Sequence, residues 1–105
     1  MSGLTANRGL ILSAYNASKA ALIQLARSLA MECGPKGIRV NSISPEHIVN
    51  PMVEKNFEEA PGLDKGWEQE NMLGRLSLPE ELTEETISML SDASSFMTGT
   101  KIVID

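Results

Sequence analysis

Tyr15 and Lys19 stand four residues apart in the run Ser13-Ala14-Tyr15-Asn16-Ala17-Ser18-Lys19-Ala20-Ala21-Leu22. On a helix, that offset brings two side chains onto one face. A lysine ammonium beside a phenol stabilises the tyrosinate and makes the hydroxyl a better proton donor and acceptor. The pair therefore suits interconversion of a carbonyl and an alcohol, in which a proton must move at the oxygen. By itself a Tyr-x-x-x-Lys spacing is common, because both residue types also serve packing and solubility on ordinary helices.

The elements that must position the pair follow from pattern. Residues 1–12 read as a loop, with Gly3, Asn7 and Gly9 breaking any period. Ser13 is a suitable N-cap for the helix that follows. Leu22, Leu25, Leu29 and Cys33 recur at steps of three and four, an apolar helical stripe. Gly34-Pro35 is expected to stop that helix, since Gly suits a C-terminal turn and Pro cannot continue one. Ile38-Arg39-Val40-Asn41-Ser42-Ile43 is short, β-branched and bounded by turn residues, and predicts a strand. A helix, a brief turn and a strand make one α/β crossover. From Pro45 to Pro61 the pattern is a loop with a helical turn over 53–59. A short amphipathic helix over 64–72 follows, with Trp67 as its apolar anchor. Pro79 is placed in the first turn of a helix running to about Leu90. Lys101-Ile102-Val103-Ile104 is a second strand, announced by Gly99.

Composition excludes several classes. Fourteen acidic against nine basic residues give a formal charge of −5. No Lys/Arg stripe exists to displace counterions from a nucleic acid, and the charge is wrong for an anionic membrane. No apolar run approaches the ~20 residues of a spanning helix, and the reading expects no signal segment, since residues 1–12 lack a charged-then-apolar pattern. One Cys and one His provide neither a disulfide framework nor a zinc site. No metal is expected, a cytoplasmic setting is the default, and Cys33 reads as a small apolar filler.

Three stretches carry a resemblance across nearly the whole chain. Tyr15-Asn16-Ala17-Ser18-Lys19-Ala20-Ala21-Leu22 resembles the active-site helix of the short-chain dehydrogenase/reductase family. Gly37-Ile38-Arg39-Val40-Asn41-Ser42-Ile43-Ser44-Pro45 resembles the segment that follows it. Leu90-Ser91-Asp92-Ala93-Ser94-Ser95-Phe96-Met97-Thr98-Gly99 resembles the approach to the family's last strand. Met1-Ser2-Gly3 and Pro51-Met52-Val53-Glu54-Lys55-Asn56-Phe57 are most similar to the sorbose-reductase and mannitol-dehydrogenase-like branch.

The resemblance implies an α/β fold of Rossmann type. This chain matches its C-terminal part: active-site helix, penultimate strand, substrate-loop helices, last helix and last strand. The N-terminal dinucleotide-binding half, with its Gly-rich turn, has no counterpart in residues 1–105. The implied activity is NAD(P)-dependent oxidation and reduction between carbonyl and alcohol, with a sugar or polyol as substrate and NADP favoured over NAD by the branch. Tyr15 becomes the acid/base, and Lys19 its partner and ribose ligand. The family's serine, which hydrogen-bonds the substrate oxygen, falls on Ser2 by the commonest spacing; an ordinary loop serine is the open alternative. Ser13 is too close to Tyr15 for that role.

The loop after the strand departs from the family's Pro-Gly-aromatic-Ile/Val-x-Thr. Here it reads Pro45-Glu46-His47-Ile48-Val49-Asn50. Pro45, Ile48 and Asn50 are the implied cofactor contacts. Glu46 replaces a glycine, so any positive φ needed there would be strained. His47 takes the aromatic position and reads as a packing or rim residue, with a general base as the rival. Phe57, Trp67, Met52 and Met72 belong either to a substrate-capping loop or to simple amphipathic packing. As an isolated chain the protein is expected to be inactive, with strand edges and helix faces uncovered. The rival reading is a non-catalytic truncated form or pseudoenzyme that pairs with itself or with full-length relatives through the helix over residues 15–33.

Overall fold

A computed structural model describes residues 3–4 and 12–105. Tyr15 and Lys19 lie in the first two turns of its longest helix, α1 (Ser13–Cys33). The Leu12 carbonyl accepts the first helical bond, from Asn16 N at 2.7 Å. Leu12 therefore occupies the N-cap position, no side chain caps the helix, and Ser13 is already helical. This corrects the assignment of Ser13 as N-cap by one residue, a shift to which helix boundaries are prone.

The C-terminal end of α1 also differs from expectation. Gly34 has φ −52° and stays right-handed, and a single 3₁₀ turn, Gly34–Lys36, prolongs the rotation. The left-handed residue is Gly37, φ +76°. Its N–H donates to Gly34 O at 2.9 Å, while Ile38 N donates to Cys33 O at 3.3 Å. Those two bonds are the paired closures of a Schellman motif, which needs a residue without a Cβ clash at Gly37 rather than at Gly34.

The first strand, β1 (Ser42–Pro45), pairs in parallel with β2 (Lys101–Ile104), Ser42 opposite Lys101 and Pro45 opposite Ile104. β2 agrees with the sequence reading; β1 begins four residues later than the 38–43 expected. Upstream of it Gly99 N still donates to Val40 O at 2.7 Å, and side chains supply the other bonds. Val40 N donates to Thr98 Oγ1, Asn41 Nδ2 to Met97 O, and Thr100 N to Asn41 Oδ1. Segment 38–41 is thus held alongside 97–100 without strand pairing. Arg39 completes the seam, donating to Ser94 Oγ, Met97 O, Met89 O and Ser91 O at 2.9–3.2 Å.

Between the strands lie α2 (Pro51–Glu59), α3 (Leu63–Glu70) and α4 (Thr83–Leu90), the last entered through a 3₁₀ turn, Pro79–Leu82. The expected turn over 53–59 is a full helix because Asn50 caps it. Asn50 Oδ1 accepts from Met52 N and Val53 N, both at 3.0 Å, and Pro51 fills the first helical position, where no N–H is needed.

Ala30 is the buried residue of α1. A Cβ on Gly99, just before β2, would lie 3.5 Å from Ala30 Cβ. Leu22 and Leu25 remain about half exposed. Ala30 and Val53 are the buried apolar residues among those described, and Phe96 and Leu90 stand almost fully exposed.

Candidate active site

The C-terminal end of β1 and the sheet-facing side of α1 enclose an open pocket of about 370 Å³. Tyr15, Lys19, Leu22 and Ile23 line it from the helix, and residues 42–47 from the strand and the loop beyond it. That size lies within the range of small-ligand sites, and a crevice outside the carboxyl end of a parallel strand is where open α/β sheets bind ligands. Lys19 Nζ stands over the Tyr15 ring, 5.1 Å from its centroid. The helical offset therefore delivers the juxtaposition read from sequence: a cation against a phenol in one concave site.

Gly3 lines the same pocket. A Cβ on it would come within 2.7 Å of Lys19 C and 2.8 Å of Ala20 N, both backbone atoms of α1. Glycine lets residue 3 touch the helix beside Lys19. Nothing in sequence spacing announces that contact, since Gly3 reads as a loop residue. Ser2, the candidate for the substrate-oxygen ligand, lies outside the described residues.

The loop after β1 divides its residues between pocket and scaffold. Pro45, Glu46 and His47 line the pocket; Ile48 and Asn50 are not among its lining residues. Ile48 bridges in parallel to Ser77, with Val49 N donating to Ser77 O at 2.9 Å. The carboxamide oxygen of Asn50 is committed to capping α2. The Asn-Pro pair at 50–51 is the signal that would have revealed that cap. No described non-glycine residue has positive φ, so Glu46 bears none of the strain expected of a glycine replacement.

His47 faces two ways. Besides lining the pocket, its ring stacks on Trp67 of α3, centroids 4.4 Å apart and planes 15° off parallel. Its Nε2 lies 3.0 Å from Glu70 Oε2 and 3.6 Å from Glu46 Oε1. An ionised carboxylate only accepts, so Nε2 carries the proton in the closer contact. Phe57 meets Trp67 edge-on at 5.5 Å, giving α2 and α3 a shared aromatic contact. Met52 and Met72 are exposed and line neither this pocket nor a smaller one of about 130 Å³ beside Asn71, Arg75 and Asp105. Among the described residues no cluster has metal-ligand composition, and no helix is long and apolar enough to cross a membrane.

A family model described as Enoyl-(Acyl carrier protein) reductase matches residues 3–105. The chain belongs to the short-chain dehydrogenase/reductase family. Among curated relatives, a short-chain dehydrogenase/reductase of Aspergillus versicolor is 44% identical over 109 residues. Galactitol 2-dehydrogenase of Rhizobium johnstonii and sorbose reductase of Candida albicans are each 41% identical, over 108 and 105 residues. All three alignments take in 100% of this chain but only 37%, 40% and 36% of those relatives. Among solved structures, a short-chain dehydrogenase/reductase from Mycobacterium marinum superposes with a TM-score of 0.90 at 43% identity, covering 100% of this chain and 40% of that one. A 4-hydroxyisoleucine dehydrogenase complexed with NADH superposes with a TM-score of 0.86 at 38% identity, covering 99% of this chain and 42% of that one. The chain therefore has the α/β architecture of this family's Rossmann-fold members and spans about 40% of their length.

Proposed function

We propose that this chain carries the proton-transfer site of a nicotinamide-dependent oxidoreductase that interconverts a carbonyl and an alcohol on a sugar or polyol. The observation that carries the reading is Tyr15 and Lys19 in one pocket at the carboxyl end of β1. Tyr15 gives its phenolic proton to the substrate oxygen during reduction and takes it back during oxidation. Lys19 sets its ammonium over the Tyr15 ring, 5.1 Å from the centroid. The sugar or polyol assignment draws on the galactitol dehydrogenase and sorbose reductase among the relatives.

The pocket's donor set fits the nicotinamide–ribose end of a dinucleotide: Lys19 and Tyr15 to hold the ribose, Pro45 beside the base. When bound, that group supplies the hydride to the carbonyl carbon. A structure with NADH and another, an active-site complex with NADP, stand among the solved relatives, at 38% and 36% identity. NADP is the choice we favour, from the sorbose-reductase-like sequence features. Pairing along α1, where Leu22, Leu25 and Met31 are exposed, is the proposed mode of association.

The test is a chimera in which residues 1–105 replace the matching part of the Rhizobium galactitol 2-dehydrogenase. It should reduce a ketose with NADH or NADPH, and Tyr15→Phe should cut turnover by ~10²–10⁴-fold. Full turnover with Phe at position 15 would remove the assignment.

A further inference from the structure

His47 is held through both its backbone and its ring. Its carbonyl accepts from Ser77 N at 3.1 Å and from Asn71 Nδ2 at 3.4 Å. Its ring lies flat on Trp67, and its Nε2 meets Glu70. Trp67 and Glu70 are one helical turn apart on α3, so a single ring engages the same face of that helix twice. The other side of the residue is pocket wall, shared with Tyr15 and Lys19. Only about a fifth of the His47 side chain is exposed, whereas Glu70 is half exposed. The imidazole is therefore the inner, fixed half of the contact and the helix the outer half.

We propose that His47 is a positioning residue that latches the α2–α3 hairpin to the wall of the Tyr15–Lys19 pocket. Stacking fixes the distance of α3 from the wall, and the Nε2–Glu70 hydrogen bond fixes its rotation about the ring. Phe57, edge-on to Trp67, passes the restraint to α2. An aromatic hydrocarbon at position 47 would supply the stack but not the hydrogen bond, so imidazole adds a directional tie. The functional consequence rests on reading the pocket as the catalytic site. With the latch closed, a substrate meets a preformed wall; with it open, binding must also pay the ordering of the hairpin.

The chain holds one His and one Trp, which makes the latch directly visible. In the purified 105-residue chain, nuclear Overhauser contacts between the imidazole and indole protons are expected, with the imidazole resonances moved upfield by the indole ring current. Acrylamide should quench Trp67 less in the wild type than in His47→Ala or Glu70→Gln, with His47→Phe between. Absent contacts, or equal quenching in wild type, His47→Ala and Glu70→Gln, overturn the latch. So does a wild-type indole as accessible as free tryptophan amide. Loss of helix in Glu70→Gln also counts against it, because weakening a tie between two folded parts should leave both folded. In the galactitol-dehydrogenase chimera, Glu70→Gln, which leaves only a neutral amide acceptor, should raise KM about threefold to tenfold, the scale of one ordinary hydrogen bond, with kcat held. A fall in kcat with KM unchanged would overturn the positioning role. Failure of Tyr15→Phe to affect kcat would instead strike the catalytic reading and leave the spectroscopic latch standing.

Discussion

Lys19 Nζ lies over the face of the Tyr15 ring, 5.1 Å from its centroid. A cation in that position interacts with the ring's negative face whether or not the ring bears a hydroxyl. Structure and chemistry can thus be separated by substitution. Tyr15→Phe should leave thermal stability within about 0.5 kcal/mol, since ring and cation persist and the side chain is half exposed. Lys19→Met removes the cation, and in the chimera should lower both turnover and nicotinamide affinity. Thermal melts beside initial rates check the pair; a Tyr15→Phe chain that melts far below the wild type would make the ring's role structural.

Gly3 should tolerate no side chain. An added Cβ would meet α1 backbone at 2.7 and 2.8 Å, and backbone cannot swing aside as a flexible side chain can. Gly3→Ala is expected to cost about 1–3 kcal/mol, or to detach residue 3 from α1. Amide exchange around Lys19 and Ala20 distinguishes the two, since detachment would expose that turn. A Gly3→Ala chain with unchanged stability and unchanged protection at Lys19 would refute the contact.

The elements legible in sequence were those with local causes. Tyr15 and Lys19 shared a face because the helical repeat requires it, and β2 was bounded as written because Gly99 and the β-branched run mark it. The start of β1 was not legible. Segment 38–41 has strand composition, but beside one backbone bond, Gly99 N to Val40 O, it is Asn41 and Thr98 side chains that bond it to residues more than fifty positions away in sequence. Gly34-Pro35 reads as the helix stop in sequence, and the structure moves the left-handed residue to Gly37, where the Schellman pair closes. Gly3 against α1, and Glu70 against His47, are tertiary contacts that leave no periodic trace.

Arg39 stands in for a charge that α4 lacks. That helix has no basic residue in its last turn, and the Arg39 guanidinium, fifty positions earlier, donates to Met89 O and Ser91 O at its end. The same group reaches Met97 O and the buried Ser94 hydroxyl. Arg39→Ala should destabilise the chain by about 2–3 kcal/mol, because several half-buried acceptors lose a charged donor at once. Arg39→Lys should recover only part of this, since a single ammonium cannot match a planar fork to four acceptors. Urea titration provides the measurement, and a Lys variant equal to wild type would show that charge alone suffices.

Arg75 and Glu81 give a pH dependence with a defined sign. The guanidinium donates to both carboxylate oxygens, at 2.8 Å from Nη1 and 2.5 Å from Nη2, and Leu78 N donates to Oε2 at 2.9 Å. The hydrogen bond from Arg75, then that from Leu78 N, lowers the Glu81 pKa from 4.5 to about 2. A group depressed in the folded state binds its proton more readily when unfolded, so stability rises with pH across the interval between the two values. The contribution is fully present above about pH 4.5 and is lost as pH falls toward 2. Both partners are solvent-facing, so salt should shrink the effect. Glu81→Gln should flatten this component of the denaturation midpoint between pH 5 and about 2 without changing the behaviour above it. If wild type and Glu81→Gln lose stability in parallel through that window, the Arg75 pair does not hold the turn that opens α4.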